Sequence, residues 1–127
     1  MNENEEKYIT KINYPHLIFI QIQRVMDAID SGGDGLEELK NLKVLLKRTW
    51  RLEIDAMMEK QEQEMRRKVR RMMRMRNKLG METYAKLRRE AIVEYVREYI
   101  QCVIDKMDEV GLLLVEEQSV LKGGGIV

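Results

Sequence analysis

The apolar positions of this chain fall on helical spacings along most of its length. Ile18, Ile22, Val25 and Ile29 follow i, i+4, i+7, i+11, which is one face of a helix. Pro15 suits a first helical turn, where its missing N–H has no bond to lose, and Asn13 stands where it can cap that turn. The spacing predicts a helix over about 15–30 behind a polar lead-in, residues 1–13. Ile18-Phe-Ile-Gln-Ile-Gln also alternates as a strand does. The wider pattern and the helix formers around Met26-Asp-Ala-Ile favour the helix. Ser31-Gly-Gly-Asp-Gly35 then breaks the pattern with glycines that open turn geometries.

Neither glycine nor proline occurs from Leu36 to Leu79. Leu39, Leu42, Leu46, Trp50 and Ile54 mark an apolar stripe over the first half of this stretch. Met58, Met65, Met72 and Leu79 recur every seven residues over the second, with Val69 and Met75 beside them. One helix over 36–79 would be about 65 Å long if straight. Glu59–Glu64 holds no apolar side chain, so a kink is expected near 59–64. Asn77-Lys-Leu-Gly80 reads as a helix stop, with a cation in the last turn and glycine just past it. A further helix is expected over 82–121. Tyr84, Leu87 and Ala91 open its stripe, and Ile92, Val96, Tyr99, Val103, Met107, Val110 and Leu114 continue it. Gly111 is placed to end or weaken it, and Leu112–Val115 fits either more helix or a short strand. Gly123-Gly-Gly, within residues 122–127, reads as a flexible tail.

The expected architecture is all-α: a long antiparallel helical hairpin joined at Gly80, plus a shorter N-terminal helix, in one domain over 14–121. Two helices of that length leave apolar stripe uncovered. The expectation is therefore a homodimer, with paired hairpins forming a four-helix bundle or coiled coil. Its interface, or that with another protein partner, would draw on Met58, Met65, Val69, Met72 and Leu79, and on Ile92, Val96, Tyr99 and Val103. The alternative is a monomeric three-helix bundle whose second helix is broken.

Charge adds a second pattern. The net charge of +1 conceals strong segregation, since residues 65–89 hold 11 bases against Glu82 alone. Within that block Arg66, Arg67, Arg70, Arg71, Arg74 and Lys78 share roughly 140° of one helical face. Met65, Val69, Met72, Met75 and Leu79 lie on the opposite side, so one face can pack while the other presents cations. Guanidinium groups bind phosphate oxygens in a planar, bidentate manner, and a row of them can track a nucleic-acid backbone without reading its sequence. These six residues are the expected nucleic-acid contacts. The competing expectation is a structural or adaptor protein. There, Glu62 and Glu64 pair along the helix with Arg66 and Lys68, and Glu90, Glu94 and Glu98 pair with the basic face from the antiparallel helix. A basic, methionine-rich helix can also lie on anionic lipid, but its apolar side lacks bulky Trp or Phe anchors.

No catalytic constellation can be assembled, and no cofactor is implied. Glycines 32, 33 and 35 are not followed by the Lys-Ser/Thr of a phosphate loop. The helical carboxylates Glu90, Glu94 and Glu98 lack the Glu-x-x-His partners of a di-iron site. His16 and Cys102, the only histidine and cysteine, have nothing in the sequence that pairs them. The expectation is a non-catalytic protein. One cysteine, an acidic first segment unlike a signal peptide and no apolar run near 20 residues suggest a cytoplasmic chain with no membrane span.

Overall fold

The computed structural model describes residues 3–48 and 53–112, with side chains from Pro15 onward within them. All of its regular structure is helical: α1 (Glu3–Asp30), α2 (Leu36–Lys47), α3 (Glu53–Met57), α4 (Glu59–Leu79) and α5 (Met81–Glu109). Two antiparallel hairpins organise the chain. α1 and α2 form the first across the 31–35 turn, and α4 and α5 form the second across Gly80.

The turn between α1 and α2 is made by backbone freedom and one carboxylate. Gly35 sits at φ 76°, a left-handed conformation that glycine adopts without strain. Asp34 Oδ1 accepts the Leu36 N–H at 3.0 Å and covers one of the donors exposed at the start of α2. Behind the turn, Gln21 is 5% exposed, and its amide nitrogen donates to the Glu38 carbonyl at 2.8 Å. A buried amide without that partner would destabilise the hairpin.

α5 is the central element. Ile92-Val93, Tyr95-Val96, Tyr99-Ile100, Val103-Ile104 and Met107 are all buried. These doublets recur at three- and four-residue intervals, so the buried face is far wider than a single stripe. It packs on α4 and is covered elsewhere by α2 and α3. Ile18, Ile22, Val25 and Ile29 of α1, with Leu39, Leu42 and Leu46 of α2, complete the same core. Each such side chain removed from water contributes about 1.5–3 kcal/mol before entropy is counted. The stripes expected on 15–30 and on the first half of 36–79 are therefore the buried ones, except Trp50, which lies outside the described residues.

Several boundaries differ from the sequence expectation. α1 begins at Glu3 rather than near Pro15, so the lead-in 1–13 is largely helical and Pro15 lies inside the helix. Residues 3–14 hold no glycine and are rich in Glu, Lys and Ile, which tolerate a helix. The expected 36–79 helix is three helices. α2 stops at Lys47, and α3 and α4 part at Met58, whose φ and ψ are −102° and 5°, one residue before the expected 59–64 kink. No glycine or proline marks either break. What holds α3 as its own element is tertiary: Tyr99 Oη donates to Asp55 at 2.7 Å, and Lys106 pairs with Glu53 at 2.9 Å. The broken second helix is the feature that the monomeric alternative required. The last helix ends at Glu109 rather than near 121, and Gly111 follows with φ 70°. Residues 113–127, including most of Leu112–Val115 and the expected tail, lie outside the described residues.

Gly80 does what its position implied. α4 ends at Leu79, Gly80 takes φ 85° and ψ 155°, and α5 starts at Met81. That conformation is essentially confined to glycine, so a single residue reverses the chain.

Candidate nucleic-acid interface

α4 has no buried residue, and α5 has none before Ala91. The turn between α1 and α2 meets α5 at Arg88 and Arg89. Arg89 donates to the Gly32, Gly33 and Ile29 carbonyls at 2.9–3.0 Å, and Arg88 lies 3.9 Å from Asp34. Beyond that level the α4–α5 hairpin continues as an arm with no buried residue among those described. The end of the basic block nearest Gly80, Arg74 and Lys78 included, lies on this arm.

The sequence places the cations opposite the packing side of α4, and the structure has that arrangement. Met65, Val69, Met72 and Leu79 are half-buried against α5. Arg66, Arg67, Arg70, Arg71, Arg74 and Lys78 are exposed. Met75, expected with the apolar side, is 43% exposed, because it lies at the margin of the stripe nearest Arg71. Of the six cations only Arg66 has a carboxylate, Glu62, one turn back at 2.8 Å. Among the described residues the other five form no ion pair. The expected cross-pairing with Glu90, Glu94 and Glu98 is confined to Lys68–Glu94 at 3.7 Å, on the flank of α4 away from the main row.

The nine residues expected at an interface divide into two groups. Met65, Val69, Met72 and Leu79 stay half-accessible along the α4–α5 seam. Met58, Ile92, Val96, Tyr99 and Val103 lie in the core of the single chain, at 5% exposure or less. The physical reason is the width of the α5 face. The α5 part of the stripe that argued for a second copy is covered by α2 and α3 of the same chain.

Three basic residues escaped the sequence reading as part of this surface. Lys40 and Lys43 of α2, together with Arg88 of α5, stand across from Arg66 and Arg70 over a shared groove. Leu36, Lys40 and Lys43 have the i, i+4, i+7 spacing of one helical flank, and that was the available signal. Lys43 is held in place by Tyr95. Its ammonium donates to the Tyr95 hydroxyl at 3.0 Å and lies 5.5 Å from that ring and 5.0 Å from the Tyr99 ring. Burial, reinforced by the carboxylates of Glu62 and Asp55, holds the Tyr95 phenol well above its ordinary range. Tyr95 therefore stays a neutral hydroxyl beneath the lysine.

His16 is exposed on α1 and stacks on Phe19 at 6.2 Å. Cys102 is half-buried on α5, and burial followed by the nearby Asp105 carboxylate pushes its thiol up, away from the reactive thiolate form. No helix among the described residues is long and apolar enough to cross a membrane. No family model, curated protein or solved structure matches this chain.

Proposed function

We propose that this chain is a non-catalytic helical protein that binds the nucleic-acid backbone through the outer face of α4. One observation carries the reading: Arg67, Arg70, Arg71, Arg74 and Lys78 stand exposed along α4 with no carboxylate partner among the described residues. A face meant to hold the hairpin together would use the acids beside it. Glu90 and Glu98 are exposed on the adjoining helix, yet no ion pair links them to this row. A row of guanidinium groups on a helix suits phosphates spaced along a strand, and releasing counterions from them drives association.

The competing adaptor reading retains some support. Lys68–Glu94 does cross the hairpin, and Met73, Met75 and Met81 are 50, 43 and 69% exposed on the arm, as a protein-binding surface would have them. The homodimer also remains a proposal, on different ground from the sequence expectation. The apolar surface that now supports one is the outer side of the α1–α2 hairpin, where Leu17, Ile20, Val44 and Leu45 line a shallow groove.

Titration of fluorescent oligonucleotides, duplex and single-stranded, against increasing salt tests the main reading. Binding should weaken steeply with salt. Arg71→Glu with Arg74→Glu should lower affinity by at least about tenfold while the melting temperature holds, because neither residue has an internal partner to lose. Absence of binding to either nucleic acid at low salt, or a large loss of stability in that double variant, would leave the adaptor reading in its place.

A further inference from the structure

The basic face of α4 is also one wall of a groove. Arg66 and Arg70 line that side, Lys40 and Lys43 of α2 line another, and Arg88 of α5 lines the groove as well. Glu62 is the one carboxylate lining the groove, and its oxygen is already engaged by Arg66 at 2.8 Å. The floor is different in kind. Leu36, Met65 and Val69 are half-buried and present carbon there, whereas Ile92 and Tyr95 contribute almost no surface, at 1 and 3% exposure. The groove encloses about 570 Å³, on the scale of sites that hold a small organic ligand.

Two facing rows of cations over an apolar floor select both the charge and the shape of an occupant. The walls favour phosphates: of the five lining cations Arg66 is taken up by Glu62 and Arg88 and Lys40 have only long pairs with Asp34 and Glu37, at 3.9 and 3.6 Å, so Lys43 and Arg70 leave the groove net positive. The floor favours a flat, poorly hydrated group attached to those phosphates. A duplex meets only half of this, since its bases are paired and stacked inside the backbone and can offer nothing to the floor. A single strand turns its bases outward while its phosphates remain on the rim. An acidic peptide satisfies the walls, but its carboxylates bring no planar apolar surface. Resting on the nucleic-acid reading above, the geometry points to the α2–α4 groove as a single-strand site, with phosphates held by Lys40, Arg66, Arg70 and Arg88 and a base laid on Met65 and Val69. The outer row at Arg67, Arg71, Arg74 and Lys78 then guides either kind of nucleic acid, and the groove supplies the preference between them.

Lys40 gives the cleanest test. Its side chain is 65% exposed, it makes one loose pair with Glu37 at 3.6 Å, and it lies outside α4. Fluorescence anisotropy with a short single-stranded oligodeoxynucleotide, its abasic counterpart and a duplex of equal length gives three affinities. The expected result is single strand over abasic strand by about tenfold or more, and a comparable loss for the single strand alone in Lys40→Glu. Methyl resonances of Met65 and Val69 should move with the single strand and stay still with the duplex, a readout that needs no variant. Equal affinity for the base-bearing and abasic strands overturns the inference. So does an equal loss of single-strand and duplex binding in Lys40→Glu, or displacement of the strand by polyglutamate at matched charge. In those cases Arg71→Glu with Arg74→Glu still reports on the outer face by itself. Only a failure of every oligonucleotide to bind at low salt removes both readings together.

Discussion

Arg89 of α5 donates from Nη2 to the carbonyl oxygen of Ile29 at 2.9 Å, sixty residues away along the chain. Its Nε reaches the Gly32 and Gly33 carbonyls at 2.9 and 3.0 Å. A cation among the carbonyls at and just past the end of α1 is favourable both as a hydrogen-bond donor and against the helix dipole. The basic block therefore contains two kinds of residue. Arg89 fastens the two hairpins together, whereas Arg71 and Arg74 fasten nothing.

That difference is measurable. Arg89→Ala should cost about 1–2 kcal/mol of stability, since charge-assisted bonds are worth more than neutral ones but these are partly exposed. Nucleic-acid affinity should stay within about twofold once the variant is folded. Urea unfolding read by circular dichroism, paired with the anisotropy titration, checks both halves. A stable Arg89→Ala variant with greatly weakened binding would reverse the roles assigned to it and to Arg74.

The sequence was most legible where pattern alone decides structure. Ile18, Ile22, Val25 and Ile29 had to face one way, and Gly80 had to end a helix that ran without interruption to Leu79. The separation of the α4 cations from Met65, Val69 and Met72 followed from the same periodicity. The break at Met58 was not legible, because no local residue demands it. It accompanies contacts made far along the chain, Asp55 with Tyr99 and Glu53 with Lys106. The width of the α5 face was available in the doublets from Ile92-Val93 to Val103-Ile104. Reading only one stripe of it turned internal core into a supposed interface with a second copy. Lys40 and Lys43 could be assigned to a flank of α2 from spacing, but nothing local said that α4 stands opposite.

Tyr99 carries a pH prediction. Burial first, then its hydrogen bond to the Asp55 carboxylate, holds the folded-state phenol far above the ordinary value near 10. Tyr95 is shifted the same way, led by burial. In the unfolded chain both ionise near pH 10, so above that pH the unfolded state binds fewer protons and stability falls. Below it their contribution is complete and flat. Lys106 acts in the same direction, because its bond to Glu53 holds its ammonium form above the ordinary lysine range, and that contribution is lost at still higher pH. Stability should therefore decline from about pH 10 upward, by about 1.4 kcal/mol per pH unit for each tyrosine that ionises only on unfolding. Tyr99→Phe should lose about 1–2 kcal/mol at neutral pH, with the Asp55 bond gone, and show a shallower alkaline decline. Denaturant midpoints between pH 8 and 11 for the two proteins give the comparison. An identical alkaline slope in Tyr99→Phe would refute the assignment.

Two glycines in the same turn separate backbone strain from steric conflict. Gly32 and Gly35 have φ of 100° and 76°, so alanine is strained at both. At Gly32 an added Cβ meets nothing within 4 Å. At Gly35 it meets Ile29 Cγ1 at 3.1 Å and Val25 Cγ1 at 3.3 Å, and both side chains are fixed in the core. Gly32→Ala should cost about 1 kcal/mol, and Gly35→Ala about 2–3 kcal/mol, because the core must also shift. Urea midpoints measured side by side decide it, and equal losses would mean that Val25 and Ile29 yield freely.

Val96 distinguishes a core position from an interface. It is fully buried, between α5's neighbours in one chain. A carboxylate there has no cation to meet and must either stay charged in an apolar site or expose itself by disrupting the packing. Val96→Asp should cost more than about 4 kcal/mol, a large share of the 5–15 kcal/mol that holds a typical domain folded. Were Val96 at a contact between copies, the same change would instead yield a folded monomer with unaltered helical circular dichroism. Val44→Glu provides the opposite case, since Val44 is 54% exposed on the outer side of the α1–α2 hairpin. That variant should keep its helical signal and melting temperature, and analytical ultracentrifugation should show any self-association reduced. Loss of helical signal at low concentration in Val96→Asp but not in Val44→Glu is the expected pair of results. A folded, merely dissociated Val96→Asp would return α5 to the interface that its stripe first suggested.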